Sequence, residues 1–151
     1  MNIALTGFKG TEKSAICRLL AKKLDKKLIS TYEEISKKTG IGIGKFVEKY
    51  GWNKFHDLAS EVIETLSDLD DCVFYASCSD LIRNENVINI KKNSLIILLT
   101  ADIKKPARSG AKEKHDYAEE MKDFLPEHES RYKMSADYII DTSSLSPEEV
   151  C

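Results

Sequence analysis

Gly7-Phe8-Lys9-Gly10-Thr11-Glu12-Lys13-Ser14 stands between the short apolar run Ile3-Ala4-Leu5 and a segment with Ala15, Ile16, Leu19 and Leu20 at helical spacing. The stretch follows the phosphate-binding loop pattern (P-loop, Walker A), G-x-x-x-x-G-K-[ST], except that Glu12 takes the place of the last glycine. A strand, a glycine-rich loop and a helix in that order constrain the fold more than any other feature of the chain. The loop turns backbone N–H groups toward an anion at a helix N-terminus. A carboxylate inside that ring repels the anion, so the same residues announce a nucleotide site and oppose it.

The chain has 151 residues, 42% hydrophobic and 32% charged, enough to bury a proper core as a single domain over 1–151. A net charge of −2, with lysines spread along the chain, gives no general attraction to nucleic acid or to an anionic membrane. No segment reaches the length of apolar residues needed to span a bilayer. No charged n-region with an apolar h-region opens the chain, so a cytoplasmic location is expected. Cys17, Cys72, Cys78 and Cys151 lack zinc-site spacing and read as reduced packing thiols. The chain is expected to be a monomer with a small-molecule substrate or a protein partner, and with neither nucleic acid nor membrane as a partner.

Apolar periodicity predicts strands at 2–6, 27–31, 72–76, 94–99 and 138–141. It predicts helices at 13–24, 33–38, 43–49, 53–69 and 81–90, a helical stretch at 117–133 with Pro126 as a break, and a helix start at Ser146-Pro147. Residues 94–99 are continuously apolar, as in a strand covered on both faces. Strands alternating with helices imply an α/β fold with a five-stranded parallel sheet flanked by helices. The loops after the strands then share one edge, where ligands bind in such folds.

In order and spacing, several phrases resemble the shikimate kinase family, small P-loop kinases of the nucleoside-monophosphate-kinase type. They are Ala4-Leu5-Thr6-Gly7-Phe8-Lys9-Gly10, Leu20-Ala21-Lys22-Lys23-Leu24, Thr39-Gly40 followed by Phe46, Gly51 and Phe55, Ala136-Asp137-Tyr138-Ile139-Ile140-Asp141-Thr142, and Leu145-Ser146-Pro147-Glu148-Glu149-Val150. The resemblance covers nearly the whole chain. It implies a P-loop kinase fold, a substrate-binding-like helical insertion at about 33–66, a reduced lid at about 103–116, and ATP with Mg2+ as cofactors where nucleotide binding is retained. Gly7, Gly10, Thr11, Lys13 and Ser14 would bind the nucleotide, with Lys13 catalytic and Ser14 on the metal if the protein is active.

The residues that such kinases use on substrate are mostly replaced. The family's Asp-Thr-Asp after the second strand, which serves magnesium and the shikimate hydroxyl, is Ser30-Thr31-Tyr32 here. The substrate arginine of Gly-Glu-x-x-Phe-Arg is His56, and the glutamate that orients it falls at Ala59. The Gly-Gly-Gly after the third strand matches Ala76-Ser77-Cys78, and the lid's Arg-Pro-Leu-Leu matches Lys105-Pro106-Ala107-Arg108. The late arginine is His128, between Glu127 and Tyr132. A histidine does not reproduce bidentate carboxylate pairing, and losing two such contacts removes about 3–6 kcal/mol, or about two to four decades of affinity. Tyr32 is no base at neutral pH, with a phenol pKa near ~10. Glu12 at about 4 Å from phosphate adds roughly 4 kcal/mol of repulsion at an effective dielectric of ~20. Glu12 has two readings: an acid at a helix N-terminus facing solvent, or a carboxylate inside the anion hole paired with Lys13.

Other features have plainer readings. Gly40-Ile41-Gly42-Ile43-Gly44-Lys45 follows no strand and reads as a helix–helix connection. His56 reads as an interfacial or partly exposed side chain rather than a metal ligand, and His115 as solvated. Lys104, Lys105, Arg108, Lys112 and Lys114 form a basic stretch read as a solvated loop. Ser77-Cys78 has no identifiable base and reads as structural. Three functions follow: a degenerate family member that has lost shikimate phosphorylation and binds nucleotide weakly or serves as a non-catalytic interaction or regulatory module, an active small-molecule phosphotransferase on a less acidic substrate through Lys13 and Ser14, and a shikimate kinase with relocated contacts. Replacement at nearly every substrate position favours the first.

Overall fold

The computed structural model describes residues 1–7, 11–101 and 128–151. Five strands, β1 (Asn2–Gly7), β2 (Lys27–Ser30), β3 (Cys72–Tyr75), β4 (Ser94–Thr100) and β5 (Tyr138–Asp141), form one sheet in the order β2-β3-β1-β4-β5. Every pairing is parallel, with Ala4 level with Phe74 and with Ile96. The helices are α1 (Lys13–Lys23), α2 (Thr31–Thr39), α3 (Ile43–Tyr50), α4 (Trp52–Leu66), α5 (Asn84–Lys91), α6 (residues 128–135) and α7 (Pro147–Val150). None of the described helices is long and apolar enough to cross a membrane.

Successive strand residues point to opposite faces, and the sheet is covered on both. On one face Ala4, Ile29, Phe74, Ile96 and Leu98 pack with Ile35, Phe46, Phe55, Val62 and Tyr132. On the other, Leu5, Val73 and Leu99 pack with Ile16, Cys17 and Ala21 of α1, and with Val150 and Cys151 at the chain end. Hence the strands read as apolar runs rather than alternating ones. β1 lies at the centre, so the loop that follows it starts from the middle of the sheet's C-terminal edge.

Local chemistry sets the boundaries where they depart from expectation. Thr31 belongs to α2 and not to β2, because Ser30 caps that helix by accepting from the Glu33 N–H. Gly40 closes α2 in the left-handed region at φ 73°, where glycine bears no Cβ penalty. The helix expected at 53–69 ends at Leu66, and Ser67 turns its hydroxyl onto the Glu64 carbonyl. The helix expected at 81–90 is in fact two pieces. A 3-10 turn, Cys78–Leu81, is closed by a reciprocal Ser77/Asp80 capping box, and α5 starts afresh after the extended Arg83. The apolar spacing of Leu81, Ile82, Val87 and Ile90 runs through this break and conceals it. The stretch expected to be helical at 117–133 is described only from His128, and it is helical there.

Candidate functional site

Gly7 ends β1 where there is no room for a side chain: a Cβ would lie 2.8 Å from the Leu99 carbonyl and 3.0 Å from Thr11 Oγ1. Gly10 lies outside the described residues, as do Phe8 and Lys9. Thr11 is buried. Glu12 precedes α1 at φ 55°, ψ 33°, a left-handed conformation that costs a non-glycine residue roughly 1–2 kcal/mol. The backbone thus keeps the turn the motif's glycine would make, with a carboxylate attached. That carboxylate makes no capping hydrogen bond to the first turn of α1.

Lys13 is nearly buried, at 9% exposure. Its ammonium donates to the Gly7 carbonyl at 3.1 Å and lies 4.8 Å from the centroid of the Tyr75 ring. The Cys78 thiol donates to the same carbonyl at 3.2 Å. Lys13 is therefore held at the ends of β1 and β3. Ser14 follows in the first turn of α1, partly exposed. Lys13 and Ser14 are the side chains suited to phosphate and to a metal ion. Gly7 and the left-handed turn at residue 12 fit a nucleotide's phosphates, whereas the Glu12 charge does not. Among the described residues no group of three or more His, Cys, Asp or Glu side chains converges as a metal site.

Beside β1 the ends of β2 and β3 meet. Asp80, 1% exposed, accepts through Oδ2 from Thr31 Oγ1 at 2.9 Å and from the Ser77 N–H at 2.9 Å. Ser77 and Ser79 share a hydrogen bond between their hydroxyls at 2.7 Å. The Tyr32 hydroxyl hydrogen-bonds both serines, and burial, reinforced by the Asp80 charge, pushes its pKa up to about 12. It stays protonated at any physiological pH and is no general base. Its ring packs on Phe55 with centroids 5.9 Å apart. Burial raises the pKa of Asp80 and likewise of the Cys78 thiol. All four cysteines are free.

His56 stacks on Trp52 at 6.0 Å. Burial, and then the nearby Arg83 guanidinium, lower its pKa, so it is neutral at pH 7. Arg83 is held by Asp57 at 2.8 Å and by Ser60 at 3.3 Å. His128 opens the described part of α6, its ring 6.3 Å from that of the buried Tyr132. Ser30 caps its own helix, accepting from the Glu33 N–H. Lys105, with the basic stretch from Lys104 to Lys114, His115 and the lid, lies outside the described residues.

Gly7, Lys13, Tyr32 and Ser77 are thus brought to one place, and His56 touches Phe55, whose ring packs on Tyr32. Sequence reasoning missed Asp80, the group at the centre of the cluster. Its signal was the capping-box spacing Ser77-x-x-Asp80 after an apolar strand. Arg83 carried no local signal, since its place beside His56 depends on how α5 packs on α4.

A family model described as shikimate kinase matches residues 9–151. A shikimate kinase of Thermodesulfovibrio yellowstonii is 31% identical over 156 residues, covering 99% of this chain and 90% of that protein. The crystal structure of shikimate kinase from Aquifex aeolicus superposes with a TM-score of 0.80 at 24% identity, covering 99% of this chain and 90% of that one. Shikimate kinase from Acinetobacter baumannii, solved in complex with shikimate, gives 0.80 at 22% identity, with 99% and 87% covered. At these identities the structural likenesses establish the P-loop kinase fold.

Proposed function

This chain belongs to the shikimate kinase family, and on that premise we propose that it has lost shikimate phosphorylation and binds nucleotide only weakly. The observation that carries the reading is Tyr32. Where the resemblance sets a carboxylate for the acceptor hydroxyl, a half-buried tyrosine is hydrogen-bonded to Ser77 and Ser79 and packed against Phe55. The neutral His56 supports the same reading, because the charge that would grip an acidic substrate is missing there. Glu12 at the helix start supports weak nucleotide binding. In this reading residues 33–66 are a substrate-binding-like insertion in a single domain, and the protein is a cytoplasmic monomer.

Where ATP and Mg2+ bind, Lys13 would hold phosphate oxygens and the Ser14 hydroxyl would face the metal. Magnesium supplies neutralisation of phosphate charge when bound. Lys13 is the residue that favours a second reading, an active phosphotransferase on a less acidic small molecule: the motif's lysine and hydroxyl are both in place at the start of α1.

Two measurements test the proposal together. An ADP-release assay with shikimate and a panel of small alcohols is expected to show nothing above the ATPase background. Calorimetric titration of ATP·Mg is expected to be weak in the wild type and at least about ten-fold tighter in Glu12→Gly. Turnover of shikimate would overturn the loss of activity, and tight wild-type binding would overturn the part assigned to Glu12.

A further inference from the structure

Along β3, Val73 and Tyr75 alternate with Cys72 and Phe74 and turn to the face of the sheet that α1 covers. α1 packs on that face through Ile16, Cys17 and Ala21. Lys13 precedes Ile16 and Cys17 by the spacing that sets it on the same side of the helix. The helix therefore delivers its first lysine to the strand ends. There the ammonium donates to the Gly7 carbonyl at 3.1 Å and stands over the Tyr75 ring, 4.8 Å from its centroid. That distance is within the reach of a cation–π contact, and such a contact strengthens where little water competes for the cation, as at the nearly buried Lys13. The Cys78 thiol donates to the same Gly7 carbonyl at 3.2 Å. The phosphate-loop pattern specifies the lysine but no aromatic ring beside it.

We propose that Tyr75 is a positioning residue for Lys13: its ring and the Gly7 carbonyl form an internal seat for the ammonium, and a nucleotide phosphate must draw the lysine off that seat in order to bind. This rests on the reading that weak nucleotide binding is retained, and it adds a cause of that weakness separate from Glu12. The two parts of the seat oppose the move unequally. The Gly7 carbonyl keeps the Cys78 thiol as a donor when the ammonium leaves, so its hydrogen bonding is partly preserved. The ring offers only its face, and the cation–π contact is lost when the ammonium moves to phosphate oxygens. That loss is subtracted from nucleotide affinity.

The test follows Lys13 itself by NMR, through the Cε protons next to its ammonium, and ADP·Mg affinity by calorimetry. Lys13→Met identifies the resonance. In the wild type the ring current of Tyr75 is expected to shift these protons upfield of those of exposed lysines. Tyr75→Phe keeps a ring face and is expected to keep the shift, with ADP·Mg affinity within about two-fold of the wild type. Tyr75→Leu is expected to lose the shift and to bind ADP·Mg about three- to ten-fold tighter. If Tyr75→Leu fails to fold, the longer Tyr75→Met takes its place. Saturating ADP·Mg is expected to abolish the upfield shift in the wild type, as the lysine leaves the ring. A wild-type Lys13 with no upfield shift, a shift that survives saturation, a Tyr75→Leu that binds no tighter, or an equal gain in Tyr75→Phe would overturn the proposal. No ADP·Mg binding by any of these proteins, with the upfield shift present in the wild type and lost in Tyr75→Leu, would overturn the reading on which the proposal rests and the competition with it.

Discussion

Asp80 and His56 are both ionisable groups drawn out of water, and burial drives them in opposite directions. Burial raises Asp80 above its ordinary 3.8. From 3.8 up to that raised value the folded chain holds a proton that the unfolded chain has lost, so stability falls as pH rises through the window. His56 lies below its ordinary 6.5. Between its lowered value and 6.5 the unfolded chain binds the extra proton, so stability rises with pH there. Thermal melts across pH will separate the two. The melting temperature of Asp80→Asn minus that of the wild type is expected to grow as pH is raised from about 4 to about 7. In His56→Gln the loss of stability on acidification below about 6.5 should be smaller than in the wild type. A gap for Asp80→Asn that stays flat with pH would show that the buried carboxylate does not titrate in that window. The sequence displays the substitutions at Tyr32 and His56, but not that one is pinned by serines and the other set beside Arg83. Those facts belong to neighbours far away in the chain.

At the scale of elements, strands and long amphipathic helices were legible because their signal is local. Apolar runs marked all five strands, and α1, α3 and α4 began within a residue of expectation. What the pattern missed were the places where one polar side chain redirects the backbone. Ser30 starts α2 two residues early, and the Ser77/Asp80 pair ends what the apolar spacing presents as a single helix. Where the resemblance sets a carboxylate, Ser30 caps a helix. Ser30→Ala is expected to lower stability by about 0.5–1 kcal/mol in urea unfolding, whereas Ser30→Asp should stay within about 0.3 kcal/mol of the wild type, since aspartate caps equally well. An unchanged midpoint for Ser30→Ala would mean that the 3.4 Å contact to Glu33 contributes nothing.

Across the whole molecule, the aromatic cluster on one face of the sheet joins the helices of residues 31–66 to the site. Phe55 is fully buried and touches Tyr32, Phe46, Trp52 and His56. Phe55→Ala is expected to cost about 3–5 kcal/mol by urea unfolding and to loosen Tyr32 and His56 together. A cost near ~1 kcal/mol would show that the cluster collapses onto the cavity. The sequence by itself determined the α/β alternation, the loop at the end of β1 and the glutamate within it, because each is written in contiguous residues. Only the tertiary structure decided which groups share the site. Thr31 and Asp80, 49 positions apart, meet because β2 and β3 are neighbours at one edge of β1. Lys13 turns inward because the ends of β1 and β3 offer it a carbonyl and a ring. Strand order is set by the packing of the whole sheet, and no local stretch of chain encodes it.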